Sequence, residues 1–404
     1  MEDRTLRSIL HLDMNSYFAT VEQQANPYLR GRPVGIIKAE GRGCVIAASV
    51  EAKKFGVGTG STVWEAKKKC PGIVFVPSDM EKYFSQTEKM IKIVTAFSPI
   101  VEVFSIDEVF LDVTDSRRVF AGGELQMVLE MKEQIRQQLG EWVKCSVGVS
   151  FNKITAKLAS GMQKPDGLVF LTPENYLQET EKIKTEEVCG IGRSRTKYLE
   201  NIGVTTLGQA RKIPNLPEEI RKLVWLEGEA SLQTIEELEP AKSVSRTYTT
   251  YRELNSKQAV LRLVRNLVEE AASKLREMGL GGRTVCLILT TSLRESSFWA
   301  RKTIKNPTGD PQIIFDLLWR EYEKNPLPGV RFAGVGISNL TENCQLPIVD
   351  SRQKLLGAVD KVNDRFGLFT LYPAELLGGE LIRPEVTGFL GDKWYRFGGR
   401  AQTK

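Results

Sequence analysis

The sequence predicts a multidomain α+β protein, because three stretches of the chain carry three different patterns. The first 170 residues alternate strand-like and helix-like segments, which is typical of a sheet with helices packed on it. Residues 173–239 are helical, rich in charge and joined by short loops. Residues 243–340 follow the order β-α-β-β-α-β, which is a split βαβ arrangement.

In the first stretch, short apolar runs mark the strands and amphipathic runs mark the helices. Strands are predicted at SILHLDM, PVGIIK, GCVIAA, IVFVP, IVEVF, EVFLDV, KCSVGVS and GLVFL. Helices are predicted at SYFATVEQQ, VEAKKF, TVWEAKKK, residues 79–97, residues 123–140 and NKITAKLASGM.

Turn and linker signals divide the later stretches. EEVCGIGRSRTKYLENIGV predicts a helix, a Gly-Ile-Gly turn and a second helix. EELEPAKSVSR is a predicted linker, because Pro240 ends a helix and polar residues follow it. The βαββαβ stretch has strands at SVSRTYTTYREL, RTVCLILTTS, SSFWARKTI and VRFAGVGISNL, with helices at 256–278 and DPQIIFDLLWREYEK. A helix at RQKLLGAVDKVNDRFG and a polar tail follow.

The composition is that of an ordinary soluble protein, with 41% hydrophobic and 26% charged residues among 404. No apolar run approaches the roughly 20 residues that cross a bilayer, and no signal peptide is recognisable, so we expect no membrane association. The six cysteines are scattered without a C-x-x-C pair and His11 is the only histidine, which disfavours a zinc site or a disulfide framework. We therefore expect a reducing, cytoplasmic location.

The net charge of +6 favours an anionic partner, and its distribution is uneven. Residues 241–340 contain 16 Lys and Arg against 9 Asp and Glu, so this one segment carries the excess of the whole chain. We interpret it as the segment that meets such a partner.

The stretch FSIDEVFLD places Asp107 and Glu108 side by side between two strand-like runs. Successive strand residues point to opposite faces, so both carboxylates meet one site only if the chain turns there. Ser105 and Asp107 suit a turn, and the runs VEVF and VFLD suit a hairpin. Two like charges about 4 Å apart repel by roughly 4 kcal/mol at an effective dielectric near 20, and a cation relieves that cost.

Asp13 supplies a third carboxylate, because it ends the first strand in HLDMNSYF. A ligand set of oxygens without His or Cys suits Mg²⁺ or Mn²⁺. Two such ions roughly 3.5–4 Å apart hold the attacking and leaving oxygens of a phosphoryl transfer. The residues alone leave an alternative open, in which the hairpin is an acidic surface turn and Asp13 caps the following helix.

Four stretches of the chain carry a family resemblance: HLDMNSYFATVEQ, FSIDEVFLDVT, VGVSFNKITAKLASGMQKPDGL and EVCGIGRSRTKYLENIGV. They resemble, in order from about residue 8 to residue 366, the Y-family translesion DNA polymerases of the bacterial DNA polymerase IV (DinB) type. The resemblance implies a right-hand-like polymerase fold. Its expected parts are a palm of mixed sheet plus helices at 1–22 and 79–171, small fingers at 23–78, a helical thumb with a helix–hairpin–helix at 172–239, a βαββαβ little finger at 243–340 and a C-terminal tail at 341–404.

The resemblance implies a template-directed DNA polymerase without proofreading, which adds dNTPs to a primer 3′-hydroxyl in translesion synthesis and DNA repair. Asp13, Asp107 and Glu108 are then the catalytic residues, and Glu108 helps to activate the primer hydroxyl. Two Mg²⁺ ions, or Mn²⁺ in their place, are expected on these three carboxylates and the Met14 carbonyl. Primer–template DNA and dNTPs are the expected partners, and a monomer is expected.

The resemblance assigns the incoming nucleotide to Tyr17, Phe18, Lys53 and Lys164. The Phe18 ring matches the aromatic side chain that clashes with a ribose 2′-hydroxyl, and Lys164 matches a lysine beside the triphosphate. Without the resemblance, Phe18 is interpreted as a helix residue that faces the core, and Lys164 as a solvated loop charge.

The chain departs from the family pattern in the segment AASVEAKKFGV. Where the family has a tyrosine and an arginine that contact the triphosphate, this chain has Val50 and Lys53. Valine donates no hydrogen bond, and lysine lacks the bidentate fork of arginine. Because a hydrogen bond to a charged group contributes roughly 1.5–3 kcal/mol, we expect weaker nucleotide binding with intact metal chemistry. Asn15 replaces the second aspartate of the usual D-x-D pattern, which the metal set does not require.

DNA contacts are expected in the thumb and the little finger. Gly190 and Gly192 allow a DNA phosphate to approach the amides at the next helix start, and a plain glycine helix cap is the alternative. The little finger binds DNA independently of sequence and with strong salt dependence, through its hairpin. The residues expected there are Arg294, Arg301, Lys302 and Lys305.

An extended peptide after the little finger resembles the segment by which these polymerases bind the sliding clamp. The residues expected to contact the clamp are Gln345, Leu346, Ile348 and Val349. The family prefers an aromatic residue at the position of Val349.

Two other classes of protein stay open. A palm-type nucleotidyl cyclase also uses paired carboxylates on a hairpin, but it needs neither a helix–hairpin–helix nor a basic βαββαβ segment. A catalytically weak DNA- and clamp-binding factor is compatible with Val50.

Overall fold

The computed structural model describes residues 7–39, 42–234, 241–292, 296–342, 350–367, 369–379 and 381–382. The chain divides into two compact units, one with the described residues up to 234 and the other with those from 241 onward. The α+β class expected from the sequence is confirmed. Within the described ranges, no helix combines the length and the apolar character that crossing a membrane requires.

The first unit alternates strands and helices and then becomes purely helical at its end. In chain order its elements are β1 (Ile9–Met14), α1 (Tyr17–Ala25), β2 (Val34–Ala39), β3 (Arg42–Ala48), α2 (Val50–Lys54), α3 (Val63–Lys69), β4 (Val74–Pro77), α4 (Met80–Thr95), β5 (Val101–Val103), β6 (Glu108–Asp112), α5 (Gly123–Leu139), β7 (Cys145–Ser150), α6 (Lys153–Met162), β8 (Leu168–Phe170), α7 (Tyr176–Glu179), α8 (Arg193–Asn201), α9 (Leu207–Arg211) and α10 (Glu218–Val224).

A five-stranded sheet of order β5-β6-β1-β7-β8 forms the centre of the first unit. β1 lies in the middle and runs antiparallel to both β6 and β7. Its residues Ile9, Leu10 and Leu12 are fully buried. The apolar run of the sequence is therefore that of a central strand covered on both faces.

Helix α6 lies directly on β1 and β7 because Gly148 has no side chain. A Cβ atom at Gly148 would overlap the Ala156 carbonyl oxygen and the Ser160 amide nitrogen. Gly148 is the register partner of His11 on β1. The close approach therefore brings α6 over the strand that carries Asp13.

A smaller sheet of order β3-β2-β4 has its own core in the first unit. β2 runs antiparallel to β3 and parallel to β4. Ser49 caps α2 by accepting a hydrogen bond from the Ala52 amide. Thr62 and Glu65 form a capping box that fixes the start of α3.

Residues 176–224 form short helices around a core that includes Val188, Ile191 and Leu199. The helix predicted before the Gly-Ile-Gly turn is wrong in length, because that segment is a single 3-10 turn at Thr185–Glu187. The backbone turns away at Gly190, whose φ of 101° lies in the region that favours glycine. Only the second helix of the motif, α8, therefore develops.

The second unit confirms the predicted β-α-β-β-α-β order. Its elements are β9 (Ser243–Leu254), α11 (Lys257–Glu277), β10 (Leu280–Thr290), β11 (Ser297–Thr308), α12 (Pro311–Lys324), β12 (Val330–Glu342) and α13 (Asp350–Phe366). The strands form an antiparallel sheet of order β11-β10-β12-β9, and α11 and α12 pack on one face of it. Of the predicted linker, residues 236–240 lie outside the described residues, and residues 243–246 form the start of β9 instead.

Two bidentate ion pairs tie α13 to α11 and to the start of α12. Arg276 donates to both oxygens of Asp360 at 2.7 Å, and Arg352 donates to those of Asp310 at 2.6 and 3.2 Å. Asp310 also caps α12 by accepting a hydrogen bond from the Gln312 amide at 2.8 Å. Burial alone would raise the pKa of Asp310, but Arg352 and the cap lower that pKa below its usual value.

Asp310→Asn keeps a helix cap and removes the charge that pairs with Arg352. Because the folded-state pKa of Asp310 is lowered, its stabilising contribution is full above the unfolded-state pKa of 3.8 and is lost as the pH falls through the folded-state pKa. We expect the variant to lose about 1–3 kcal/mol of unfolding free energy at pH 7 and clearly less at pH 3.

Urea unfolding at the two pH values measures both losses. Asp316→Asn is the control, because Asp316 lies on the same helix and, among the described residues, accepts a hydrogen bond from the Gln312 side chain and forms no ion pair with Arg352. An equal loss for Asp310→Asn at pH 7 and pH 3 would contradict the ion pair.

Candidate active site

The paired ends of β1 and β6 bring the three predicted carboxylates together at one end of these two inner strands of the five-stranded sheet. Asp13 lies directly opposite Glu108 in the antiparallel register. Asp107 precedes β6, and its carbonyl oxygen accepts a hydrogen bond from the Met14 amide at 2.8 Å. The hairpin expected from the sequence is present, because β5 pairs with β6 and the Ser105 amide donates to the Glu108 carbonyl at 3.0 Å.

Asp13 and Asp107 line a cavity of about 330 Å³ in the first unit. The side chains predicted to bind a nucleotide line the same cavity, namely Tyr17, Phe18, Lys53 and Lys164. Met14 and Val50 also lie in its wall. Residues far apart in the sequence therefore meet in the wall of one cavity, which does not include Glu108.

Asp107 holds its carboxylate in an unfavourable environment. Burial and the charges of Asp13 and Glu108 raise the pKa of Asp107, and the hydrogen bond that Ser105 Oγ donates at 2.6 Å offsets only part of that rise. A cation between Asp13 and Asp107 would remove the repulsion. The donor chemistry of this cavity wall therefore suits a hard divalent ion.

The pKa of Glu108 is shifted in the opposite direction, below its usual value. Its side chain is 14% exposed and lies beneath α6, where His11 Nε2 is 3.0 Å from Glu108 Oε2 and Lys157 forms an ion pair with the same oxygen. Burial alone would raise the pKa of Glu108, but these two partners lower it to about 2. The Glu108 carboxylate is therefore charged and held by groups outside the cavity wall.

His11 is a site residue that the sequence analysis missed. The side chain is fully buried, and its Nδ1 lies 2.7 Å from Ser160 Oγ. Burial lowers the pKa of His11 more than its hydrogen bond with Glu108 raises it, and the Lys157 charge lowers it further. His11 precedes Asp13 by two residues on one strand, so the shared strand face was a signal that the sequence contained.

Two lysines face the carboxylates of the cavity. Lys164 Nζ lies 2.7 Å from Asp13 Oδ1. Burial and the charge of Lys164 lower the pKa of Lys53, and Asp13 and Asp107 counteract this. A ligand that carries both phosphates and a cation would satisfy the lysines and the carboxylates together.

Asn15 fixes the turn that carries Lys164, which the sequence analysis did not assign to it. Its Oδ1 accepts a hydrogen bond from the Asp166 amide at 2.7 Å, and its Nδ2 donates to Ser146 Oγ at 3.0 Å. Ser146 Oγ also accepts a hydrogen bond from the Gly167 amide at 3.2 Å. The amide side chain, with both a donor and an acceptor, therefore links β1, β7 and the turn.

Phe18 lies in the cavity wall, half-buried, and does not belong to the closed core. Its ring stacks on Tyr83 with a centroid distance of 4.3 Å. Tyr17 is 3% exposed, and its hydroxyl donates to the Tyr83 carbonyl at 2.9 Å and lies 2.9 Å from Thr87 Oγ1. Phe18 is therefore the aromatic side chain of this pair that has surface to offer a ligand.

Within the described ranges, no three His, Cys, Asp or Glu side chains lie close enough together to hold a metal ion. The local reason is that Lys164 pairs with Asp13 and Lys157 pairs with Glu108. The backbone nevertheless places the three carboxylates together at the paired ends of β1 and β6, and Asp107 is left with a raised pKa. This set of oxygens fits a divalent ion that displaces the lysines.

The predicted DNA contact at the Gly-Ile-Gly turn lies at the start of α8. Gly190 adopts a positive φ, and Gly192 is the residue that precedes the helix. Arg195 donates to the Gly190 carbonyl at 2.7 Å, which holds the turn against the helix. The α8 amides are thereby presented next to a residue without a side chain.

The predicted basic residues of the second unit do not share one face of its sheet. Arg301 pairs with Cys286 on the side that no helix covers, whereas Lys302 lies on the helix side and forms an ion pair with Glu321 at 3.1 Å. Lys305 is exposed. Arg294 and the predicted clamp-binding residues Gln345, Leu346, Ile348 and Val349 lie outside the described residues.

Comparison with protein families matches both units of the chain. Residues 12–161 match the impB/mucB/samB family, and residues 241–348 match the impB/mucB/samB family C-terminal domain. A DNA polymerase IV from Pelotomaculum thermopropionicum is 33% identical over 403 residues, which covers 92% of this chain and 98% of the relative. A DNA polymerase IV from Acetivibrio thermocellus is 32% identical over 399 residues, with the same shares covered.

Solved structures share the fold. A Y-family DNA polymerase chimera built from Dbh and Dpo4 segments has a TM-score of 0.69 at 23% identity, and the match covers 83% of this chain and 100% of the chimera. An insertion ternary complex of Dbh DNA polymerase has a TM-score of 0.54 at 22% identity, with the same coverage. At these identities the likeness concerns the fold alone.

Lys157→Met removes one of the two partners of Glu108, and Lys153→Met removes the partner of Glu102 from the same helix. His11 is the only histidine, so its labelled imidazole gives a single NMR titration. Because the Lys157 charge lowers the pKa of His11, we expect Lys157→Met to raise that pKa and Lys153→Met to leave it unchanged. The titration is measured in chelator-treated protein, and identical curves for the two variants would refute the arrangement.

Proposed function

The chain belongs to the impB/mucB/samB family of Y-family DNA polymerases, and on that premise we propose how its candidate site adds dNTPs to a primer 3′-hydroxyl. The enzyme is a DNA-directed DNA polymerase of the translesion type. Membership implies dependence on a divalent metal ion in general terms. The identity of the ion and the roles of the individual residues are our proposals.

One observation carries the proposal. Asp13 and Asp107 line the same cavity as Lys53, Lys164 and Phe18. The carboxylates suit metal ions, the lysines suit phosphates, and the aromatic ring suits a sugar or base. A metal-bound deoxynucleoside triphosphate has these three parts in one molecule.

We propose Asp13, Asp107 and Glu108, with the Met14 carbonyl, as ligands of two Mg²⁺ ions, with Mn²⁺ as an alternative. When bound, the ions neutralise the charge that develops on the transferred phosphoryl group and orient the attacking oxygen. Lys164 would then bind a phosphate oxygen in place of its ion pair with Asp13. Glu108 would hold the metal in place of its ion pair with Lys157, and its low pKa keeps the carboxylate ionised.

We propose that Phe18 selects deoxyribonucleotides. Its ring is backed by Tyr83, which is itself fully buried and stacked at 4.3 Å, so the wall does not yield easily. A 2′-hydroxyl at this wall would meet ring atoms and find no hydrogen-bond partner. Tyr17 supports the wall from behind through its hydrogen bonds to α4.

Primer–template DNA is the proposed macromolecular partner. Gly190 and Gly192 would admit a backbone phosphate to the start of α8. In the second unit, Arg301 and Lys305 are better placed for a phosphate than Lys302, whose charge is paired with Glu321. Arg294 completes the proposed set.

We also propose a monomer in the cytoplasm that binds the sliding clamp. The proposed clamp-binding segment comprises Gln345, Leu346, Ile348 and Val349, and the following helix α13 is tied to the second unit by ion pairs. The cytoplasmic proposal is supported by the unpaired cysteines among the described residues.

Primer extension in Mg²⁺ tests the function. We expect wild-type protein to extend a primed template and Asp107→Asn to lose at least about a hundredfold of kcat, since removal of one such electrostatic partner costs roughly 3–4 kcal/mol. Asp112→Asn is the matched control, because Asp112 lies on β6 and its carboxylate accepts hydrogen bonds from Thr114 and pairs with the exposed Arg7, away from the cavity wall. That variant should extend normally.

Absence of extension by the wild type in Mg²⁺ and in Mn²⁺ would overturn the proposal. Formation of a cyclic nucleotide under those conditions would point to a nucleotidyl cyclase. Template binding without either reaction would point to a DNA-binding factor.

Val50→Tyr tests whether the cavity wall limits nucleotide affinity. Val50 lines the cavity beside Lys53, and a tyrosine there would offer a hydroxyl to the triphosphate. We expect the dNTP KM to fall about tenfold at a similar kcat, because a hydrogen bond to a charged group contributes roughly 1.5–3 kcal/mol. Val50→Phe adds the same ring without the hydroxyl and should not lower KM. An equal gain from both variants would assign the effect to packing.

A further inference from the structure

The small sheet of the first unit presents an exposed tryptophan to solvent. Trp64 on α3 is 69% exposed, and Lys68 Nζ lies 5.3 Å from the centre of its ring. The spacing of four residues places both side chains on one face of the helix. A large aromatic ring with an adjacent cation, left open to water, is the composition of a surface on which nucleobases stack.

The segment around Trp64 is strongly basic. Residues 23–78 contain 9 Lys and Arg against 3 Asp and Glu, an excess as large as that of the whole chain. The sequence analysis assigned the positive charge to residues 241–340 alone and overlooked this second concentration. Three consecutive lysines of α3, residues 67–69, are all exposed. An anionic polymer is therefore the complementary partner for this surface.

The helix that carries Trp64 is connected through the backbone to the wall of the candidate active-site cavity. Ile46 and Thr59 line the cavity, and Thr59 Oγ1 donates to the Ile46 carbonyl at 3.2 Å. Two residues along β3, about 7 Å away, Cys44 forms a β-bridge with Thr62. Thr62 caps α3, whose second residue is Trp64.

The tryptophan is held on a fixed support. The capping box of Thr62 and Glu65 closes with hydrogen bonds of 3.1 and 2.8 Å, and Ala66 of the same helix is fully buried. At the other end of α3, Lys69 donates to the Gly56 carbonyl at 3.0 Å. A ring on a fixed helix loses little conformational freedom when a ligand stacks on it.

We propose that Trp64 and Lys68 bind the unpaired template strand beyond the cavity, with a base stacked on the indole and a phosphate beside the ammonium group. The ligand class is single-stranded DNA, because the exposed aromatic ring belongs to a net positive segment that also supplies residues of the cavity wall. This inference rests on the proposed polymerase function and adds a site for the template ahead of the growing pair. Contact of this kind is tolerant of sequence and sensitive to salt.

Fluorescence anisotropy with primer–templates that carry a 5′ template overhang of about six nucleotides tests the proposal. We expect Trp64→Ala to bind this DNA about tenfold more weakly than wild type, and Trp64→Phe to retain most of the affinity. Tyr28→Ala is the matched control, since Tyr28 is 85% exposed on the same segment and does not line the cavity. It should bind as wild type does.

Two further DNAs separate stacking from other effects. With a blunt duplex, or with an overhang of abasic sites, wild type and Trp64→Ala should bind equally, because no base is available to the ring. Unchanged binding of the normal overhang by Trp64→Ala would overturn the proposal and leave the ring to a protein partner. An equal loss on the abasic overhang would also overturn it.

A template with a single unpaired nucleotide keeps this inference distinct from the polymerase function. Wild type and Trp64→Ala should extend it at equal rates, because the template does not reach α3. If wild type fails to extend any primer, the polymerase function fails. If extension is normal and Trp64→Ala binds every overhang normally, only the template site fails.

Discussion

The pairing of β1 with β6 is the constraint on which the rest of the site depends. It sets Asp13 opposite Glu108, and the Met14 amide donates a hydrogen bond to the Asp107 carbonyl. Three carboxylates therefore lie together at the partly buried ends of these two strands. Buried charges of one sign are costly unless partners compensate them. The chain supplies those partners from separate elements. Gly148 allows α6 to approach closely enough for Lys157 to reach Glu108, and other contacts fix the turn that brings Lys164 to Asp13.

This compensation also explains how the site folds before any ligand arrives. Lys157 and Lys164 act as internal counter-ions for Glu108 and Asp13, while Asp107 has no ion pair among the described residues, accepts a hydrogen bond from the Ser105 hydroxyl and keeps a raised pKa. The negative charge that lacks a compensating cation is therefore concentrated at Asp107. On the proposed function, a divalent ion would gain most of its attraction there, and a triphosphate bound with it would replace the carboxylates as partner of the lysines. Charge in the site would then stay balanced with and without the ligand.

The sequence predicted the features that depend on local pattern and failed where distant residues meet. The strands, the β5–β6 turn and the βαββαβ order followed from apolar periodicity, and all are present. The helix before Gly190 was wrong because a turn signal does not report how much helix precedes it. The roles of His11 and Asn15 were missed because their partners lie more than 90 residues away. The face of the sheet on which Lys302 lies depends on the strand register, and the hairpin sequence alone does not determine that register.

Each of the two units contains one segment in which positive charge is concentrated. Residues 23–78 and 241–340 each carry a positive excess at least as large as the net charge of +6, so the remaining residues are net negative. The carboxylates and the cavity belong to the first unit alone. When a basic segment neutralises DNA phosphates, counter-ions are released from the DNA, and this release strengthens binding. On the proposed function, both units would contribute to holding DNA, while the residues proposed to select and react a nucleotide belong to the first unit alone.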